Sequence, residues 1–163
     1  MRVSNHNEIE RFLDYAQEYA DKYSGCRKVA VGSILVPRDN PKIFICGCNR
    51  SLPVSCKKEG CRRIELYGED SKNHRLPSDC RSLHSEVDAI TQAARWGYST
   101  DRAKLFVTRY PCEACARAIV NAGIKEVYYG REQEISDETR NILTQGHVKF
   151  IHVKSWTYED TRR

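Results

Sequence analysis

Near the start of the chain, apolar residues recur at helical spacing. Ile9, Phe12, Leu13, Ala16, Ala20 and Tyr23 fall on one face, which predicts an amphipathic helix. Asn7, followed three residues later by Glu10, gives it a capping-box start, and the helix is expected to close near Gly25. Two short apolar runs follow, at residues 29–36 and 43–48, separated by Pro37-Arg38-Asp39-Asn40-Pro41. That pattern reads as two strands of a hairpin. Residues 49–83 are polar, contain Pro53, Gly60, Gly68 and Pro77, and show no sustained period. They are expected to form a long insert or loop, and loops of that length usually carry function.

From His84 onward the pattern alternates. A helix runs to Trp96 and stops at Gly97, a strand covers residues 104–108, and a second helix is opened by Pro111 and stopped by Gly123. Residues 126–129 read as a strand, Ser136 caps a helix that ends at Gly146, and residues 148–153 form a last strand. Strands alternating with helices imply a largely parallel sheet covered on both faces. The polar stretch 156–163 is expected to be a frayed tail.

With 163 residues and no repeat or low-complexity linker, the chain is expected to be one domain able to bury a core of its own. No apolar leader and no run of membrane-spanning length is seen, which predicts a soluble, cytoplasmic protein without a membrane partner. Eight cysteines in such a chain point to thiol or metal chemistry more than to a disulfide framework. The net charge of +5 suits an anionic ligand but is spread along the chain, so it does not separate a nucleotide from a nucleic acid.

The chemistry concentrates in two places. His84-Ser85-Glu86 opens one predicted helix, and Pro111-Cys112-Glu113-Ala114-Cys115 opens another. Cysteines three apart share a helical face, and helix N-termini favour the thiolate that binds metal. One imidazole and two thiolates supply three tetrahedral ligands for Zn2+ and leave the fourth position for water, as in catalytic zinc sites. Glu86, two residues from His84, can reach that water without being a ligand. H-x-E with P-C-x-x-C is the signature of the zinc deaminases. A structural zinc knuckle, with no catalytic role for Glu86, is the rival reading of the same residues.

These motifs, with Val31-Gly32-Ser33-Ile34, Val87-Asp88-Ala89-Ile90, Ala93-Ala94-Arg95, Val107-Thr108 and Ala122-Gly123-Ile124-Lys125, resemble the deoxycytidylate (dCMP) deaminase family of the cytidine deaminase superfamily. The resemblance implies a three-layer α/β/α sandwich around a five-stranded mixed sheet. It also implies a homo-oligomeric hydrolase that converts dCMP to dUMP for dTTP synthesis, with dCTP and dTTP as effectors of some members. It places Glu86 in proton transfer, Asn49 near the sugar and Arg95 at the 5′-phosphate. Should Arg95 not meet the phosphate, Arg50 and Arg109 are the basic residues next in line. No nucleic-acid partner is expected, since no basic and aromatic track for a strand is visible.

Three departures bear on the substrate. The family's Gly-Tyr-Asn-Gly is Gly47-Cys48-Asn49-Arg50 here, the Asn of the H-A-E-x-N-A-I pattern is Asp88, and an aromatic residue after the fourth strand is replaced near Glu132. Deamination of dCTP, cytidine or single-stranded nucleic acid therefore stays open beside dCMP. Cys56, Cys61 and Cys80 resemble the cysteine-bearing insert in which some members bind a second, structural zinc. Cys46, Cys48 and His74 are candidates for its fourth ligand, free thiols are the alternative, and Cys26 is expected to pack as a small apolar residue.

Overall fold

The computed structural model describes residues 7–50, 55–68, 80–131 and 136–158. The expected Asn7 capping box is formed: Asn7 Oδ1 accepts from the Glu10 backbone, and the Glu10 carboxylate accepts from the Asn7 N–H. It opens α1, Glu8–Tyr23. Leu13, Ala16 and Ala20 of its apolar face are fully buried, but Tyr23 is half exposed and instead packs its ring on Tyr19, with centroids 4.7 Å apart.

β1, Gly32–Val36, and β2, Ile45–Cys48, pair antiparallel with Ser33 opposite Gly47. The expected hairpin is present, though shorter than its apolar runs. The described part of the insert is not irregular: it holds two short helices, α2 at Cys56–Glu59 and α3 at Arg62–Tyr67. Neither has a side-chain cap bond at its start, so each rests on too few residues to produce a visible period.

The remaining elements alternate as expected: α4 Ser85–Trp96, β3 Lys104–Arg109, α5 Glu113–Asn121, β4 Glu126–Arg131, α6 Asp137–Gln145 and β5 Lys149–His152. The strands form one sheet in the order β2-β1-β3-β4-β5. β1 is antiparallel to both neighbours, while β3, β4 and β5 run parallel, so the sheet is mixed.

Helices cover both faces. On one side Leu13 and Ala16 of α1 pack over Ile34, Val36, Phe106 and Tyr128. On the other, Ala89 and Ala93 of α4, Ala116 and Ile119 of α5 and Leu143 of α6 close over Leu35, Leu105, Val107 and Val127. The result is the expected three-layer α/β/α sandwich. Two glycines set how closely the layers meet. A Cβ on Gly32 would lie 1.8 Å from the Ala16 carbonyl oxygen of α1, and one on Gly47 would lie 2.3 Å from the Ser85 oxygen of α4. Both helix backbones therefore rest directly on the hairpin.

The last described residues correct the frayed-tail expectation. Trp156 is 4% exposed, joins the α1-side core and donates from Nε1 to Asp14 Oδ1 at 2.9 Å. An aromatic core residue of that size contributes on the order of 3–5 kcal/mol. No described helix is long and apolar enough to cross a membrane.

Candidate metal centre

His84 is the N-cap of α4 and Cys112 the N-cap of α5, with Cys115 in the first turn of α5. α5 follows β3 directly, so the cluster lies beyond the carboxyl end of a central strand, where open α/β sheets carry their ligand sites. His84 makes no cap bond to α4, while Cys112 is hydrogen-bonded to Cys115 in the first turn of α5. The imidazole and the thiol stay available, and both helix N-termini direct positive potential at them.

Cys112 Sγ and Cys115 Sγ each lie 3.4 Å from His84 Nδ1. The three ligand atoms fall within 4.8 Å of one another, and they form the only such His, Cys or carboxylate cluster among the described residues. The protonation pattern fits a metal donor set. The Cys112 thiol is pushed down to about 4, first by a hydrogen bond from Cys115 and then by His84. Cys115 is pushed up, first by that same pairing with Cys112 and then by burial. His84 rises to about 10, held charged by Cys112 first and by Cys80 second, against burial. The cluster thus gathers a negative sulfur and compensating protons at one point, and a divalent cation can replace those protons.

Glu86 is buried beside this cluster and is not one of its three ligands. Burial pushes its carboxyl above the usual range, and the nearby His84 and a hydrogen bond from Ser85 oppose the rise. Ser85 Oγ donates to Glu86 Oε2 at 3.1 Å, and Ser33 Oγ of β1 donates to Ser85 Oγ at 2.6 Å. Both serines are fully buried. Sequence reasoning missed this relay, because its two serines are 52 residues apart in the chain and no local pattern joins them.

The other expected site residues are placed less centrally. Asn49 is buried, and its Oδ1 accepts from the Val31 N–H at 3.0 Å and from Ser24 Oγ at 2.6 Å. Its Nδ2 donates to the Val29 carbonyl at 2.8 Å, leaving one amide hydrogen for a substrate hydroxyl. Arg95 is exposed in the last turn of α4, with its guanidinium 5.6 Å from the Trp96 ring centre. It lies about 16 Å along the helix axis from His84.

Arg109 ends β3, half-buried. Arg50 pairs its backbone with Leu83, the residue before His84.

The structure does not draw Cys56, Cys61 and Cys80 into a ligand cluster. Cys80 turns to the first site, where a hydrogen bond to His84 lowers its thiol below the usual range. Burial pushes Cys46 up and Cys48 up to about 11, and neither joins the His84 cluster. His74 and Glu132 lie outside the described residues, and Cys26 is half-buried.

Comparison with known proteins agrees with this geometry. Residues 6–131 match the family model described as the cytidine and deoxycytidylate deaminase zinc-binding region. The chain is 34% identical over 133 residues to ComE operon protein 2 of Bacillus subtilis, covering 80% of this chain and 64% of that protein. It is 40% identical over 102 residues to the deoxycytidylate deaminase of Enterobacteria phage T2, covering 60% of this chain and 53% of that one. The chain thus spans between about half and two thirds of the length of these relatives. A crystal structure of the dCMP deaminase from cyanophage S-TIM5, in complex with dCMP and dUMP, superposes with a TM-score of 0.63 at 26% identity, over 91% of this chain and 99% of the phage one. A signature cluster at paired helix starts, a mixed five-stranded sheet and a family match over most of the chain lead to one assignment: this protein belongs to the cytidine and deoxycytidylate deaminase family.

Proposed function

We propose that the protein hydrolyses dCMP to dUMP and ammonia, with zinc held by His84, Cys112 and Cys115 and with Glu86 carrying the protons. The observation that supports this best is the position of Glu86: a buried carboxyl beside a three-ligand cluster, oriented by Ser85 and not itself a ligand. A structural zinc knuckle would give such a group no task.

Zinc bound by those three residues supplies Lewis acidity and lowers the pKa of a water toward about 7. Glu86, its carboxyl raised by burial, is suited to take up a proton and pass it on. It delivers one proton to N3 of the cytosine ring and one to the amine leaving C4. The C4–O bond forms, the C4–N bond breaks, one water is consumed and ammonia departs. Asn49 contacts the sugar with its remaining amide hydrogen, and Arg95 meets the 5′-phosphate with its planar fork.

Two names among the similar proteins support a nucleotide substrate: the phage T2 deoxycytidylate deaminase and the cyanophage enzyme crystallised with dCMP and dUMP. The test is ammonia release from deoxycytidine, cytidine, dCMP, dCTP and single-stranded DNA by the zinc-loaded protein. The highest kcat/KM is expected on dCMP, and preference for any other member of the panel would displace the reading. Regulation by dCTP and dTTP and assembly as a homo-oligomer rest on the resemblance, and triphosphate titration and light scattering in the same experiment read both.

A further inference from the structure

Two of the departures from the family pattern, Arg50 in place of glycine and Asp88 in place of asparagine, meet in space. Arg50 Nε donates to Asp88 Oδ2 at 2.7 Å, and the Cys48 N–H donates to the same oxygen at 2.9 Å. Gln92 Nε2 donates to the other oxygen of Asp88 at 3.3 Å. Arg50 Nη2 donates to the Tyr19 hydroxyl, and the guanidinium lies 5.7 Å from the Tyr19 ring centre. Asp88 is 2% exposed. A lone carboxylate buried to that degree is strongly disfavoured, and a glycine at position 50 would leave it so. The two substitutions are therefore one change made in two parts: a charge pair where the family has a neutral one.

Asp88 and Tyr19 occupy one edge of the guanidinium. The Cys48 thiol also hydrogen-bonds the Arg50 side chain. Arg50 lines a cavity of about 380 Å3 together with Arg81, Ser82, Leu83 and Asp88. Among the described lining residues Asp88 is the single acid and is bonded to Arg50, so these residues present the guanidinium groups of Arg50 and Arg81. Leu83, which pairs with the Arg50 backbone, immediately precedes the metal ligand His84. The cavity therefore borders the segment that delivers the imidazole.

We propose that Arg50, anchored by Asp88, is a specificity-determining residue that binds the phosphate of the nucleotide substrate in this cavity. The inference rests on reading the metal centre as that of a nucleotide deaminase. A phosphate dianion suits the site, because a guanidinium held along one edge presents the other with little further ordering to lose. Asp88 and Arg95 are seven residues apart and so share one stripe of α4. Arg50 then adds a second cation on the same side of the helix.

The test compares the parent, Arg50→Gln, Asp88→Asn and the double variant Arg50→Gly/Asp88→Asn. The double variant restores a neutral pair and guards against misfolding around an unpaired Asp88. KM and kcat are measured on dCMP and deoxycytidine, zinc content by elemental analysis, and binding of dUMP and deoxyuridine by calorimetry. Arg50→Gln and the double variant should lose about 10-fold or more in the ratio of dCMP to deoxycytidine kcat/KM, mainly through KM, with zinc retained. Their affinity for dUMP should fall by a similar factor relative to deoxyuridine. Asp88→Asn should shift the same ratio less, because the arginine remains but loses its anchor.

An unchanged ratio in both Arg50 variants overturns the proposal. So does an equal loss on dCMP and deoxycytidine, which marks a purely structural role. A lost response to added dCTP with an unchanged KM for dCMP also overturns it, since Arg50 would then hold an effector. A parent that releases no ammonia from any cytosine nucleotide defeats the deaminase reading instead, and the dUMP and deoxyuridine affinities still decide whether Arg50 binds phosphate.

Discussion

Cys112 and Cys115 sit at the start of a nine-residue helix that follows a central strand, whereas Cys56 and Cys61 sit on or beside two helices of four and six residues in the insert. Both groups look like metal ligands in the sequence. Only the first is brought to a point, because β3 and the N-terminus of α4 fix its members against a packed core. Cys80, at the far end of the insert, joins that first site through His84. Spacing makes a cysteine pair eligible to bind a metal, and the scaffold underneath decides whether it is ready to.

The most severe way to break this contrast is Cys112→Ala. It removes the lowered-pKa thiol, so zinc at the His84 site and all deaminase activity should be lost together. Full turnover by this variant after chelation would end the metal mechanism. Glu86→Gln should be the next largest effect, with zinc and nucleotide binding retained and kcat reduced by at least about 100-fold. Elemental analysis separates the roles: zinc leaving with the carboxylate would make Glu86 a ligand.

Cys80→Ser should have the mildest consequence of the three. If the insert cysteines share a second ion in solution, protein purified without chelator carries two zinc ions per chain and this variant carries one. A ratio of one per chain in the parent leaves Cys56 and Cys61 as thiols. In that case Cys80→Ser should leave the zinc content unchanged and act only through its contact with His84.

Much of the fold was legible because the chain punctuates itself. Asn7 with Glu10, Pro111, Ser136, Gly97 and Gly123 mark helix ends within a few residues of where they fall. The His84, Glu86, Cys112 and Cys115 constellation was legible for a similar reason, since each half is a local spacing at a helix start. What stayed hidden depends on contacts made at long range. Trp156 looked like part of a polar tail because its partner Asp14 is 142 residues away. Arg50 and Asp88 read as two unrelated departures until the β2–α4 contact placed them 2.7 Å apart. The short helices of the insert escaped notice because four and six residues cannot display a 3.6-residue period twice.

The hydroxyl relay behind Glu86 ties the orientation of its carboxyl to strand register. Ser33 lies between Gly47 on β2 and Val107 on β3, and its side chain points toward α4 only in that alignment. A slip of β1 by a single residue would turn Ser33 to the α1 face and present a neighbour to Ser85. Ser85 would then lose its own donor while still hydrogen-bonded to the carboxylate. The register of β1 therefore sets how the Glu86 carboxyl is held, and if Glu86 carries the protons as proposed, damage to strand pairing should register as a loss of kcat before it registers as unfolding.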